Sequence, residues 1–161
     1  MTPGARVQAA IECLDDIFSG MPAEKTLTRW ARRSRFAGSK DRAAVRDHVF
    51  DALRNRDSSA EIGGGLTGRS VMLGLTLLQG HVLGDVFTGL GHAPSILTAE
   101  EAAKFADLDP KTIAHIAANI WDMPDLWRDK LQASRPEQAL DNAHALKARA
   151  PVDLRVNARK A

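Results

Sequence analysis

Apolar residues return every three or four positions through nearly the whole of this chain, and a period of two appears only at its end. That contrast limits the fold to helices packed on helices, because a single strand has no ladder partner and the sequence offers no second one. In residues 5–19, Val7, Ala10, Ile11, Leu14, Ile17 and Phe18 fall on one helical face, with Ser19-Gly20 as a stop. Pro22 suits the first turn of a second helix that turns Leu27, Trp30 and Ala31 inward. Ser39 is the expected N-cap of a third, with Asp41 in its first turn and Val45, His48, Val49, Ala52 and Leu53 as its stripe.

Residues 57–68 read as the longest irregular segment, polar and glycine-rich. Thr67 then caps a nearly all-apolar helix that should be central. A short segment near Leu83 follows, then the capping-box pattern Thr98 to Glu101, and helix starts at Asp109-Pro110, Met123-Pro124 and Pro136. The expectation is an all-α bundle of seven or eight helices over residues 1–150. After Pro151, Val152, Leu154 and Val156 alternate with polar residues, so residues 151–161 read as a linker and the first strand of a further, missing domain.

The net charge of +2 hides an uneven distribution. Residues 25–56 hold ten Lys and Arg against three Asp, whereas residues 85–141 hold ten acids against five bases. A one-sided basic segment is the footprint expected for a polyanion, with nucleic acid as the first candidate and a solvated helix face as the alternative. No apolar stretch is long enough for a membrane span, and the N-terminus lacks a signal-peptide pattern, so no membrane partner and a cytoplasmic location are expected. One cysteine, Cys13, allows neither a disulfide within the chain nor a multi-cysteine metal site, and its spacing from Ala10 and Ile17 makes it a core thiol. The five histidines form no i, i+4 pair, so no metal site is expected.

Gly63 to Ser70 matches the phosphate-loop pattern G-x-x-x-x-G-K-[ST] except for Arg69 in place of lysine. No strand pattern precedes it, so an interhelix loop with a capped helix start is the better reading. The helix N-terminus and Arg69 could still accept a backbone phosphate. Trp30, Trp121 and Trp127 lie on apolar stripes and are expected in the core.

Three segments carry a resemblance. Ser39-Lys40-Asp41-Arg42 followed by AAVRDHVFDALR resembles the central helix of NusB-like RNA-binding domains. Met123-Pro124-Asp125-Leu126-Trp127 with Leu131, and then PVDLRVNARK, resemble in order the helix start and strand motif of bacterial RsmB/Sun-type RNA cytosine-C5 methyltransferases, although Leu126-Trp127 reverses the family's Trp-Leu order. The resemblance implies a NusB-like helical bundle followed by a missing catalytic domain that binds S-adenosylmethionine and carries both catalytic cysteines. It implies no cofactor and no catalytic residue in this chain, and no catalytic role for Cys13.

The expected function is therefore a noncatalytic, RNA-positioning domain of such an enzyme, with ribosomal RNA as substrate. Lys25, Arg29, Arg32, Arg33, Arg35, Lys40, Arg42 and Arg46 would hold phosphates, with Arg69 as a further contact. The alternative is a stand-alone NusB-like antitermination factor that binds RNA together with a ribosomal protein. In a third reading the basic face docks on the protein's own catalytic domain.

Overall fold

Helix α1 (Pro3–Phe18) begins where Thr2 Oγ1 accepts the Ala5 N–H, and it buries Val7, Ala10, Ile11, Cys13 and Leu14. The computed structural model describes residues 1–153. After α1 come α2 (Ala23–Arg33), α3 (Ser39–Arg54), α4 (Arg56–Gly63), α5 (Gly68–Leu78) and α6 (Leu83–Val86). The second half contains α7 (Ala99–Ala106), α8 (Pro110–Asn119), α9 (Asp125–Ser134) and α10 (Ala139–Lys147), with a single 3-10 turn, Pro136–Gln138, leading into α10. The all-α expectation holds, with ten α-helices among the described residues rather than seven or eight. Residues 151–153 carry no regular structure, and the rest of the expected terminal strand lies outside the described residues.

The core forms where α1, α3 and α5 meet. Val45, Val49 and Ala52 of α3 and Val71, Met72, Leu73 and Leu75 of α5 are buried against α1, which places α5 at the centre as its composition requires. Several caps stand where the sequence placed them. Thr67 Oγ1 accepts from Ser70, Thr98 and Glu101 close a reciprocal capping box, and the Asp109 carboxylate accepts from Thr112. Gly38, not Ser39, takes the N-cap of α3, and Asp41 accepts the Gly38 N–H from the third helical position.

The main departure is α4, a helix where residues 57–68 read as a loop. Two features make it one. Its N-terminus is capped from afar, because one Asp122 carboxylate oxygen accepts the N–H groups of Asp57 and Ser58, at 2.7 and 2.8 Å, while the other accepts the Ser58 hydroxyl at 2.7 Å. The second oxygen also pairs with Lys147 of α10 at 2.5 Å, and the Asp122 side chain is fully buried. Asp122 adopts a left-handed φ of 51°, a conformation that Asp and Asn tolerate better than most residues.

The other feature is the near-contact of α4 and α5. A Cβ on Gly63 would sit 1.8 Å from the Ser70 carbonyl oxygen, and one on Gly74 would sit 1.9 Å from that of Ser59. Ser59 and Gly63 on one helix and Ser70 and Gly74 on the other, each pair four residues apart, therefore let the two backbones touch. Gly64, at φ 92°, ends α4 in the left-handed cap that glycine adopts without cost. The glycines of this segment serve helix packing and a helix stop, and the segment is not a long loop.

Candidate nucleic-acid interface

Helix α2 has the sequence AEKTLTRWARR, and burial of Thr26, Leu27 and Trp30 forces its bases outward. Lys25, Arg29, Arg32 and Arg33, spaced at i, i+4, i+7 and i+8, line one shallow groove with Glu24 and Thr28. On α3 the same logic applies. With Val45 and Val49 buried, Arg42 and Arg46 project into a second groove, between α2 and α3, and Glu24 and Thr28 border that one too. The two basic grooves thus share a ridge along α2. Arg35 and Lys40 are exposed at the α2–α3 connector and the first turn of α3, and they line neither groove.

Clustering, more than pairing, marks these cations out, since Lys104, Lys111, Lys130 and Arg135 are also exposed and without an ion pair among the described residues but are scattered along α7, α8, α9 and its end. Arg29 bonds Asp16 at 2.5 Å, which ties α2 to α1 and commits part of its charge. Among the described residues, Lys25, Arg32, Arg33, Arg35, Lys40, Arg42 and Arg46 make no ion pair, and all seven are exposed. Elsewhere Arg6 pairs with Asp41, Arg54 with Asp51, Arg56 with Asp57, Arg128 with Asp125 and Asp129, and Arg149 with Asp47. Asp41 lies within the basic segment, but its carboxylate is taken up by the Met1 amine and Arg6 of α1. The terminal amine of Met1, then Arg6 and the Gly38 N–H, hold its carboxyl below the ordinary carboxylate range.

Arg69 does not belong with the phosphate-holding residues. Its guanidinium grips Glu101 through Nε and Nη2, at 2.7 and 2.8 Å, and donates to the Ser95 carbonyl and hydroxyl and to the Ile96 carbonyl. Those five bonds match the five donors a guanidinium has, and its plane also lies over the Phe87 ring at 5.2 Å. Arg69 is a clamp between α5, α7 and the preceding loop. The α5 N-terminus is occupied as well, since Asp15 accepts the Gly68 N–H at 2.6 Å and a Cβ on Gly68 would strike the Ile11 carbonyl oxygen. The phosphate-loop likeness of residues 63–70 is therefore one of letters, since the Arg69 guanidinium and the Gly68 and Ser70 N–H groups are already engaged within the protein.

Cys13 is buried, and that burial, with Asp16 and Glu12 nearby, pushes its thiol up to about 12. It is an inert core thiol, as its spacing suggests. The three tryptophans do not all follow expectation. Trp30 is buried and Trp121 half-buried, but Trp127 is 61% exposed, at the edge of an apolar groove between α9 and α10, with Lys130 over its ring at 5.4 Å. Its stripe on α9 has little to pack against, since among the described residues α9 buries none of its side chains.

Phe36, in the short connector between α2 and α3, is a candidate that the sequence pattern alone did not bring forward. The ring is 77% exposed beside Arg35. The available signal was an aromatic residue between a run of arginines and a glycine, in a segment too short to form a core face. Comparison with family models, with curated proteins and with solved structures finds no match to this chain.

Proposed function

We propose that this chain is a noncatalytic module that docks structured RNA through the phosphate backbone, and that it serves as the positioning domain of an RNA cytosine-C5 methyltransferase. The observation that carries the docking reading is the clustering of seven exposed, unpaired cations on α2, the α2–α3 connector and α3, where the four other unpaired cations among the described residues, Lys104, Lys111, Lys130 and Arg135, are scattered from α7 to the end of α9. Unpaired surface cations keep their full charge for a polyanion, and binding releases the counterions condensed on it. Contacts of this kind give affinity and orientation but do not read sequence, which suits a domain that presents RNA to chemistry done elsewhere.

The methyltransferase part of the proposal rests on the ordered resemblance of Ser39–Arg54, the Met123-Pro124 helix start and the PVDLRVNARK segment to the NusB-like and RsmB/Sun-type pattern. S-adenosylmethionine and the reacting cysteines would belong to a following domain. Ribosomal RNA is the substrate class that the resemblance favours.

Fluorescence anisotropy with a labelled ribosomal RNA fragment tests the docking reading. Engagement of four or more phosphates weakens binding about a hundredfold between about 50 and about 200 mM salt. Absence of binding at the lower salt would overturn it.

A further inference from the structure

We infer that the groove beside Phe36 takes up one unpaired base of the RNA whose phosphates the basic face holds. This inference rests on the docking reading above and names the form of RNA that the module prefers.

Phe36 is presented outward by its own connector. Ser34 and Ala37 on either side are buried, and the Ala37 N–H bonds the Ser34 carbonyl at 2.9 Å, so the turn is fixed by its flanks and the ring between them is pushed into solvent. The ring is 77% exposed and contributes almost nothing to the core. It borders a groove whose floor includes Ala5, Ala9 and Trp30 and whose far rim is Leu90, itself 76% exposed. That groove therefore has apolar surface at its floor and at both rims, the type of surface on which the flat face of a base is stable.

Among the described residues the groove's own lining holds no Lys or Arg, and the charge that favours a nucleotide stands beside it. Arg33, Arg35 and Lys40 lie within four residues of Phe36 along the chain, all exposed and none in an ion pair among the described residues. An apolar protein segment would gain nothing from them. A nucleotide would, since its phosphate meets a cation while its base meets the ring. On one wall the Gln8 amide donates to Glu12 at 3.0 Å, which leaves further carboxylate and amide oxygens to accept from a base amino group. A continuous A-form duplex stacks its bases inside the helix and out of reach of the groove. A bulged or single-stranded nucleotide presents one.

The test uses residues 1–161 with two RNA hairpins of equal length, one fully paired and one with a single bulged 2-aminopurine. At low salt the bulged hairpin binds about tenfold tighter than the paired one, and its fluorescence is quenched on binding. Phe36→Ala lowers the bulged hairpin to the affinity of the paired one, abolishes the quenching and leaves paired-hairpin binding unchanged, while Phe36→Trp retains both preference and quenching. The exposed ring makes a folding defect in Phe36→Ala easy to exclude by circular dichroism. If the wild-type chain binds both hairpins equally, or Phe36→Ala keeps the bulge preference, the base site is overturned while paired-hairpin binding still upholds the docking reading. If the wild-type chain binds neither hairpin, the docking reading fails, and the base site with it.

Discussion

Replacing Asp122 by alanine removes the group that holds α4, the α8–α9 junction and α10 together. Its carboxylate accepts two backbone N–H groups and a hydroxyl and faces the Lys147 ammonium, all without exposure of its own side chain. Truncation leaves a buried ammonium without its counter-charge, a change worth about 3–5 kcal/mol, and that range already includes the desolvated partner. Loss of the helix cap adds roughly 1 kcal/mol. Partial hydration of Lys147, whose side chain is 15% exposed, offsets some of this, so the net loss is about 4 kcal/mol. For a chain of this length that lowers the Tm by about 8–16 °C. Asp122→Asn keeps an acceptor oxygen for the α4 amides and tolerates the left-handed backbone, so it should cost about half as much. Lys147→Met should cost far less in the Asp122→Asn background than in the wild type, because the charge it pairs with is already gone. Urea unfolding followed by far-ultraviolet circular dichroism measures all four variants. A loss below about 1 kcal/mol for Asp122→Ala would refute the reasoning, since it would equate a buried four-donor acceptor with an ordinary surface residue.

Arg69→Gln should lower thermal stability by breaking the Glu101 clamp and leave RNA affinity and its salt slope unchanged; a flattened slope would return Arg69 to the phosphate-holding set. Burial holds the His48 imidazole below its ordinary value, so the unfolded chain binds the proton more readily. The folded state therefore loses stability as pH falls below about 6.5 and regains it above, and His48→Gln should flatten that part of a Tm-against-pH profile. Cys13 should resist iodoacetamide at pH 8 in the native chain and react readily in urea, and equal rates in mass spectrometry would contradict its buried, proton-holding environment.

The parts of the fold that were legible are those decided within one turn of helix. Thr67, Thr98 and Asp109 carry their capping partners three residues away, so pattern and structure agree. Helix α4 was illegible because its cap comes from Asp122, 64 and 65 positions further along the chain, and its glycines look like a loop until α5 is placed against them. The basic segment could be seen in the charge count, yet charge alone does not say which cations remain free. Arg29 and Arg69, like Arg32, have no acid within four residues in sequence, and only the fold brings Asp16 to the first and Glu101 to the second. Trp127 was misplaced for a related reason. A helical stripe shows which face is apolar, but not whether a neighbouring helix covers it.

The account depends on the free cations of α2 and α3 acting together on RNA. Comparison of two triple variants tests this most directly: Arg32, Arg33 and Arg46 changed to glutamate, and Arg128, Lys130 and Arg135 changed to glutamate. The first set lies on the two basic grooves, whereas the second lies on and just after α9, interleaved with acids, where Arg128 pairs with Asp125 and Asp129 while Lys130 and Arg135 stand unpaired among the described residues and away from the basic cluster. Salt-dependent anisotropy should show the first variant binding RNA far more weakly, with a log–log slope reduced by about two to three, one unit or slightly less for each phosphate contact removed. The second should stay close to wild type, and both should keep the helical circular dichroism of the parent, since the changes lie on the surface. Equal RNA binding by two folded variants would contradict the account and leave the basic segment as a solvated surface.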